Sequence, residues 1–147
     1  EEKIAKGFNT ILREGYLSSV GIKEYVPILL EKFKQKSIAM CITTSTDKAI
    51  AEEILARLGI RDYFSQIVTC KEAGGGKEDP EVFLHAHDML GTPKDETVVI
   101  EDGVLAIRGA KEAGFYVIAI ADESEKENEP EIKQLADKYI ESFKELL

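Results

Sequence analysis

The chain of 147 residues has the length of one ordinary domain, and its 44% apolar content is too high for a disordered segment. Its 19 basic and 28 acidic residues give a formal net charge of -9, which disfavours nucleic acid or an anionic membrane as partner. A small phosphorylated molecule remains compatible, because a local cation and a metal ion can reverse the field inside a pocket. No apolar run could span a bilayer and the first residues do not resemble a signal peptide, so we expect a cytoplasmic protein.

Helical and strand-like patterns alternate along the chain. Pro27 lies close to the predicted start of the first helix, and Gly59, Gly91 and Gly114 supply helix stops. Continuous apolar runs predict strands that are buried on both faces. The predicted helices are 22–35, 47–58, 80–90 and 104–113, and the predicted strands are 38–43, 66–70, 97–100 and 116–120.

Two segments fall outside this alternation. Residues 122–131, six of which are Asp or Glu, are predicted to form a solvated loop. Residues 136–147 are predicted to form a short extended piece followed by a helix.

A repeated strand–helix–strand pattern predicts an α/β fold with a doubly wound parallel sheet and helices on both faces. Ligands bind such sheets beyond the carboxyl ends of the strands. The segments in which we expect a site are therefore 43–46, 70–77, 101–103 and 121–122.

Two of these segments could bind an anion. Thr44 and Ser45 offer hydroxyl groups just before a helix, where backbone N–H groups are also exposed. Their alternative role is to cap that helix. Lys77 follows three glycines and precedes the Asp79-Pro80 pair, which is expected to cap and begin the next helix. Lys77 could neutralise a phosphate, or it could be an ordinary solvated lysine.

Glu101 and Asp102 end the third predicted strand, and adjacent carboxylates there suit Mg²⁺. The alternative is that Asp102 caps the following helix. His85 and His87 are two residues apart on a helix, so they cannot face one ligand, and no catalytic role is expected for them. The two cysteines, Cys41 and Cys70, lie in or beside apolar runs and are expected to be small, reduced core residues.

These segments together resemble the haloacid dehalogenase superfamily, in its branch of β-phosphoglucomutase-like phosphatases. The resemblance extends over about residues 21–147 and is carried by three motifs in order. Residues 37–47 resemble the second motif of that family. The third motif, Gly-Lys-Pro-x-Pro-Asp-x-Phe, corresponds to residues 76–83. The fourth, a strand with Glu-Asp-Ser and later Ala-Ala-x-x-Ala-Gly, corresponds to 98–103 and 109–114.

The resemblance implies a Rossmann-like core and a role for each candidate residue. Thr44 would hydrogen-bond the transferring phosphoryl group, and Ser45 with the backbone after Thr44 would complete the phosphate cradle. Lys77 would balance the charge of the phosphate and of the nucleophile. Asp102 would ligate Mg²⁺ directly, with Glu101 in its outer shell. The implied substrate is a small phosphorylated metabolite such as a sugar phosphate.

One departure from the family is larger than any substitution. Family members attack phosphate with the first Asp of an Asp-x-Asp motif on the central first strand, and this sequence contains no Asp-x-Asp. We therefore expect that the central first strand is missing, that the 147 residues belong to a longer protein, and that alone they are inactive. Residues 1–18 would be the remnant of a helical cap, and residues 19–147 would be the core.

Three functions are compatible with these observations. The first is a Mg²⁺-dependent phosphatase or phosphomutase whose nucleophile lies outside the 147 residues. The second is a catalytically inactive relative that serves as a binding or assembly module. The third is an unrelated doubly wound domain, in which Thr44, Lys77 and Asp102 would not converge on one pocket. The sequence does not indicate the substrate or the oligomeric state.

Overall fold

Strands and helices alternate along residues 21–147, which are the residues that the computed structural model describes. The expectation of a cap remnant at residues 1–18 lies outside them. The elements are α1 (Val26–Gln35), β1 (Cys41–Thr44), α2 (Lys48–Arg57), β2 (Gln66–Thr69), α3 (Cys70–Ala73), α4 (Glu81–Leu90), β3 (Val98–Glu101), α5 (Val104–Glu112), β4 (Tyr116–Ile120), α6 (Glu129–Leu135) and β5 (Lys138–Ile140), with 3₁₀ turns at Arg61–Tyr63, Lys94–Glu96, Glu123–Asn128 and Phe143–Leu146.

All strand pairs in the described residues are parallel, but the strands form two separate sheets. β1 pairs with β2, with Thr44 opposite Thr69. β4 pairs with β3 on one side, where Ala119 lies opposite Glu101, and with β5 on the other. Within residues 21–147, β1 and β3 each lack a partner on their remaining edge. The predicted α/β architecture with parallel strands is confirmed, and the split agrees with a missing central strand.

The exposure of β1 and β3 corrects one expectation. Both were predicted to be buried on both faces, yet Val98 and Ile100 of β3 are 47% and 36% exposed. Every residue of β1 is half-buried. Val98 and Ile100 lie on the same face of β3, because alternate residues of a strand share a face, and the described residues leave that face partly uncovered. Ile38, just before β1, is 46% exposed in the same way.

The main core lies between α5 and the three-stranded sheet. Ile107 and Ala110 of α5 and Val117 of β4 have no exposed surface. Phe83 of α4 belongs to the same cluster. Burying an Ile or Phe side chain stabilises the fold by roughly 1.5–3 kcal/mol, so this contact fixes α5 on the sheet. The end of β3 and the start of α5 are thereby held in a rigid setting.

The acidic segment 122–131 is largely exposed, as expected, but it forms a 3₁₀ turn followed by α6, so the expectation of a loop was wrong. Asp122 begins the turn, since its carboxylate accepts a hydrogen bond from the Ser124 N–H at 2.9 Å. Pro130 lies in the first turn of α6, where a missing N–H costs nothing. Local capping therefore outweighs the mutual repulsion of the acidic side chains. In the described part of the chain, no helix is long and apolar enough to cross a bilayer.

The two cysteines are free thiols, as expected. Cys70 is buried and Cys41 is half-buried against the main core. Burial raises the pKa of both thiols, which leaves them protonated and poorly nucleophilic at neutral pH.

Candidate functional site

The loop that carries Lys77 is shaped by its glycines and by Asp79. α3 ends at Gly74, whose φ of 83° is strained for other residues. The Asp79 carboxylate accepts a hydrogen bond from the Gly76 N–H at 2.9 Å, which closes a tight turn around Lys77. Asp79 was expected to cap the next helix, but Pro80 holds the N-cap position and the helix begins at Glu81. The Asp79 side chain stabilises the loop instead.

Lys77 forms an ion pair with Glu101, the last residue of β3. Its Nζ donates to Glu101 Oε1, while Glu101 Oε2 accepts from the backbone N–H groups of Asp102 at 3.1 Å and Gly103 at 3.5 Å. The Glu101 side chain is 9% exposed and that of Lys77 is 27% exposed. A carboxylate that is held by three donors is fixed in orientation, so it fixes the Lys77 ammonium group as well.

The Asp102 carboxylate does not take part in the ion pair between Lys77 and Glu101. Asp102 is half-buried, and its carboxylate has no hydrogen-bond or ion-pair partner among residues 21–147. The N-cap of α5 is Gly103, with no side-chain capping bond, so the alternative that Asp102 caps this helix is not what the structure shows. Asp102 is therefore available to an external ligand.

The donor set fits Mg²⁺ in one particular way. The described residues contain no cluster of three His, Cys, Asp or Glu side chains that could enclose a metal ion. Mg²⁺ is commonly held by one or two carboxylates, with water and substrate phosphate completing the shell. The unpaired carboxylate of Asp102 and the neighbouring Glu101 match that pattern, although Glu101 is already engaged by Lys77.

Thr44 and Ser45 lie at the end of β1, in the turn before α2. Thr44 Oγ1 accepts a hydrogen bond from the Thr46 N–H at 3.0 Å. The cap of α2 is Asp47, which accepts from the Ala49 N–H at 2.9 Å, so Thr44 and Ser45 do not cap this helix. A hydroxyl group that accepts a bond in this way still has its proton to donate.

One cavity of about 430 Å³ brings most of the candidates together. Ser45, Lys77, Glu101 and Asp102 all line it, so the carboxyl ends of both sheets contribute. Thr44 is the neighbour of Ser45 but is not itself among the lining residues. The convergence of Lys77 and Asp102 is contrary to the hypothesis of an unrelated domain. The catalytic, phosphate-binding and metal-binding roles of these residues remain predictions.

Two lining residues were not anticipated. Glu78 follows Lys77 in the loop, and Glu125 reaches the cavity from the 3₁₀ turn after β4. Glu125 Oε2 also accepts a hydrogen bond from Asn128 Nδ2 at 2.8 Å. The rule that ligands bind beyond strand ends could have flagged Glu125, since it follows β4 by five positions. The residue was missed because its segment was interpreted as solvated.

The two histidines do not line this cavity. His85 is exposed, and His87 packs its ring against Phe115 at 5.4 Å between centroids. The Nε2 atom of His87 lies 2.7 Å from the Thr92 carbonyl oxygen. These contacts agree with a structural role for His87.

A match to the family described as haloacid dehalogenase-like hydrolase covers residues 2–120. The parallel strands and the cavity at their carboxyl ends define an α/β core, and the chain belongs to the haloacid dehalogenase-like hydrolase family. It is 34% identical over 115 residues to the phosphorylated carbohydrates phosphatase of Thermotoga maritima, covering 78% of this chain and 49% of that protein. It is also 34% identical over 92 residues to the β-phosphoglucomutase of Bacillus subtilis, covering 63% of this chain and 40% of that protein.

The solved structures agree with this assignment. A HAD hydrolase of family IA, variant 3, from Entamoeba histolytica superposes with a TM-score of 0.84 at 25% identity. The superposition covers 98% of this chain and 66% of that chain. The chain thus spans about half the length of the curated relatives that it matches.

Proposed function

We propose that these residues form part of a Mg²⁺-dependent phosphatase or phosphomutase that acts on a small phosphorylated metabolite such as a sugar phosphate. The observation that carries the proposal is the Lys77–Glu101 ion pair, which shares one cavity with Asp102, whose carboxylate has no partner within residues 21–147. A fixed cation next to a free carboxylate suits a metal-assisted reaction of a phosphate dianion. The names of the relatives, a carbohydrate phosphatase and a β-phosphoglucomutase, favour this substrate class.

Lys77 and the β1 turn would hold the phosphoryl group. The Lys77 ammonium group would neutralise charge on the phosphate oxygens, and Glu101 would keep that group in place. Thr44 would donate its hydroxyl proton to a phosphoryl oxygen while it accepts from the Thr46 N–H. Ser45, which lines the cavity, would donate a second bond. These donors would lower the barrier because they are oriented before the substrate arrives.

The metal would be held by Asp102, with Glu101 in its outer shell. When bound, Mg²⁺ would neutralise part of the charge that the phosphoryl group carries in the transition state. Asp102 can serve this purpose because its carboxylate has no partner among the described residues.

The nucleophile is proposed to come from outside the 147 residues. Neither Thr44 nor Asp102 can replace the Asp-x-Asp carboxylate, and no Asp-x-Asp occurs in the sequence. Among the described residues, β1 and β3 each have one edge without a partner, and this supports the proposal because a strand between them would complete one parallel sheet. The absence of Asp-x-Asp also favours a second candidate, a catalytically inactive binding or assembly module.

The first experiment separates these two candidates. The upstream reading frame is sequenced, and the intact mass of the native protein is compared with the 16.3 kDa of these residues. A larger mass with an upstream Asp-x-Asp supports the enzyme. A mass of 16.3 kDa with a start codon immediately before residue 1 would overturn the proposal of an enzyme and favour the inactive module.

The second experiment tests the site in the protein as its gene encodes it. Release of inorganic phosphate and isomerisation are measured on a panel of sugar phosphates with and without Mg²⁺. Asp102→Asn is expected to lower kcat/KM by about 100-fold. The matched control is Asp88→Asn, on the exposed side of α4, which should leave the rate unchanged. Full activity of Asp102→Asn with Mg²⁺ would overturn the assignment of the metal site.

A further inference from the structure

Helix α5 makes an unusually close approach to the loop that carries Lys77. A Cβ atom built on Gly109 would overlap the carbonyl oxygen of Lys77. It would also lie 3.0 Å from the Asp79 carbonyl oxygen and 3.0 Å from the carbonyl carbon of Glu78. All three atoms belong to the backbone, so no side chain can rotate away to make room. Only a glycine permits this approach.

The glycine is unfavourable for the helix that contains it. Within a helix, alanine in place of glycine raises the folding equilibrium constant by about five-fold when nothing else changes. Gly109 lies in the interior of α5 and is buried, two residues after the fully buried Ile107. The helix therefore keeps a poor helix former at a place where it packs closely against the Lys77 loop.

The same loop is also fixed by two side-chain contacts. The Asp79 carboxylate closes the turn through the Gly76 N–H, and the Lys77 side chain reaches Glu101 at the end of β3. Glu101 directly precedes the segment that leads into α5. The loop is therefore held both by its backbone contact with Gly109 and by the Lys77 side chain on Glu101.

We propose that Gly109 is a positioning residue for Lys77. Because Gly109 has no side chain, α5 can pack closely against the backbone of residues 77–79. This packing places the Lys77 ammonium group where it contacts Glu101 and faces the cavity. The catalytic part of this proposal rests on the proposed phosphoryl-transfer function, whereas the positioning of the ammonium group does not.

The test uses Gly109→Ala in the protein as its gene encodes it. Lysines are reductively methylated with ¹³C, and the Lys77 signal is assigned by its loss in Lys77→Arg. In the unaltered protein this signal should differ from those of solvated lysines, because Lys77 is paired with Glu101. Gly109→Ala should move the signal towards the solvated lysines. The control is Ile107→Val, which removes one methyl group from the core side of the same helix and should leave the signal in place.

The urea midpoint of Gly109→Ala should fall if Gly109 is needed for the close contact with the loop, and it should rise if the only effect is the higher helix propensity of alanine. If the midpoint rises and the Lys77 signal does not move, the proposal is overturned. Should the single variant fail to fold, Gly109→Ala is combined with Glu78→Gly, which lets the loop retreat, and compared with Glu78→Gly alone. An unmoved Lys77 signal there also overturns the proposal.

The catalytic activity of Gly109→Ala provides a separate test. In an active enzyme, Gly109→Ala should lower kcat by at least ten-fold with a smaller change in KM, since Lys77 would act mainly on the transition state. An unchanged kcat together with a displaced Lys77 signal would refute the catalytic part. An inactive parent protein would refute the proposed function instead, and the signal of Lys77 would still test the positioning by Gly109.

Discussion

The ion pair between Lys77 and Glu101 should contribute to stability as well as to the site. Glu101 is 9% exposed, so removing Lys77 leaves a largely desolvated carboxylate with only its backbone donors. Two charges about 4 Å apart attract by roughly 4 kcal/mol at an effective dielectric constant near 20. Most of that attraction is offset by the cost of desolvating the carboxylate. We therefore expect a net coupling energy of about 1–2 kcal/mol between the two side chains.

A double-mutant cycle measures this coupling. Lys77→Met should destabilise by about 2–3 kcal/mol, because it leaves Glu101 Oε1 without its partner. Glu101→Gln should cost about 1 kcal/mol, since the amide oxygen can still accept from the Asp102 N–H. The double variant should lose less than the sum of the single variants. Free energies of unfolding are taken from urea titrations at two salt concentrations.

The exposed pair of Lys133 and Glu129 in α6, at 2.5 Å, is the matched control. Its coupling should be much weaker than that of Lys77 with Glu101 and should decrease further at high salt. The coupling of Lys77 with Glu101 should persist at 1 M salt, because the carboxylate is buried. A coupling below about 0.3 kcal/mol for Lys77 and Glu101 would show that water screens the pair, and the reasoning would fail.

Two further predictions concern residues that stabilise the fold around the site. Ile107→Ala should destabilise by about 3 kcal/mol because Ile107 has no exposed surface, whereas Ile28→Ala, at a side chain 59% exposed, should change the unfolding free energy by less than about 0.5 kcal/mol. The Lys23 ammonium group, 2.5 Å away, and Ser124 lower the pKa of Asp122 from 3.8 to about 2. The Asp122 carboxylate stabilises the fold above pH 3.8 and loses its contribution as pH falls through 2. Asp122→Asn should therefore cost about 1 kcal/mol at pH 7 and only a small part of that at pH 2, where the folded-state carboxyl is half protonated. Urea titrations at both pH values check this, and an equal loss at both would contradict it.

The elements that the sequence predicted best are those with an unambiguous local signal. β4 begins and ends as predicted, at 116 and 120, because a β-branched apolar run follows the helix stop at Gly114. The helix α3 was missed, although Thr69 and Glu72 form a capping box with the spacing that marks a helix start. The three glycines that follow it indicated a loop and concealed that signal.

The site could be predicted in outline, because parallel strands bring their carboxyl ends to one edge whatever the loops do. That rule brought Ser45, Lys77, Glu101 and Asp102 to attention. It could not reveal that Lys77 pairs with Glu101, because the two residues lie 24 positions apart and belong to different motifs. Nor could it reveal the contact of Gly109 with the Lys77 loop, which depends on how deeply α5 packs.

The split of the sheet explains why these tertiary contacts matter for the site. Ser45 follows the two-stranded sheet and Asp102 follows the three-stranded sheet, and no backbone ladder joins the two in residues 21–147. Helix α4 packs on β1, β2 and α5 and so connects them. The loop of Lys77 leads directly into α4 and is pressed against Gly109 of α5. Within residues 21–147, the spacing between the proposed phosphate cradle and the proposed metal ligand is therefore set by helix packing, so small side-chain changes at the interface of α4, α5 and this loop should alter that spacing.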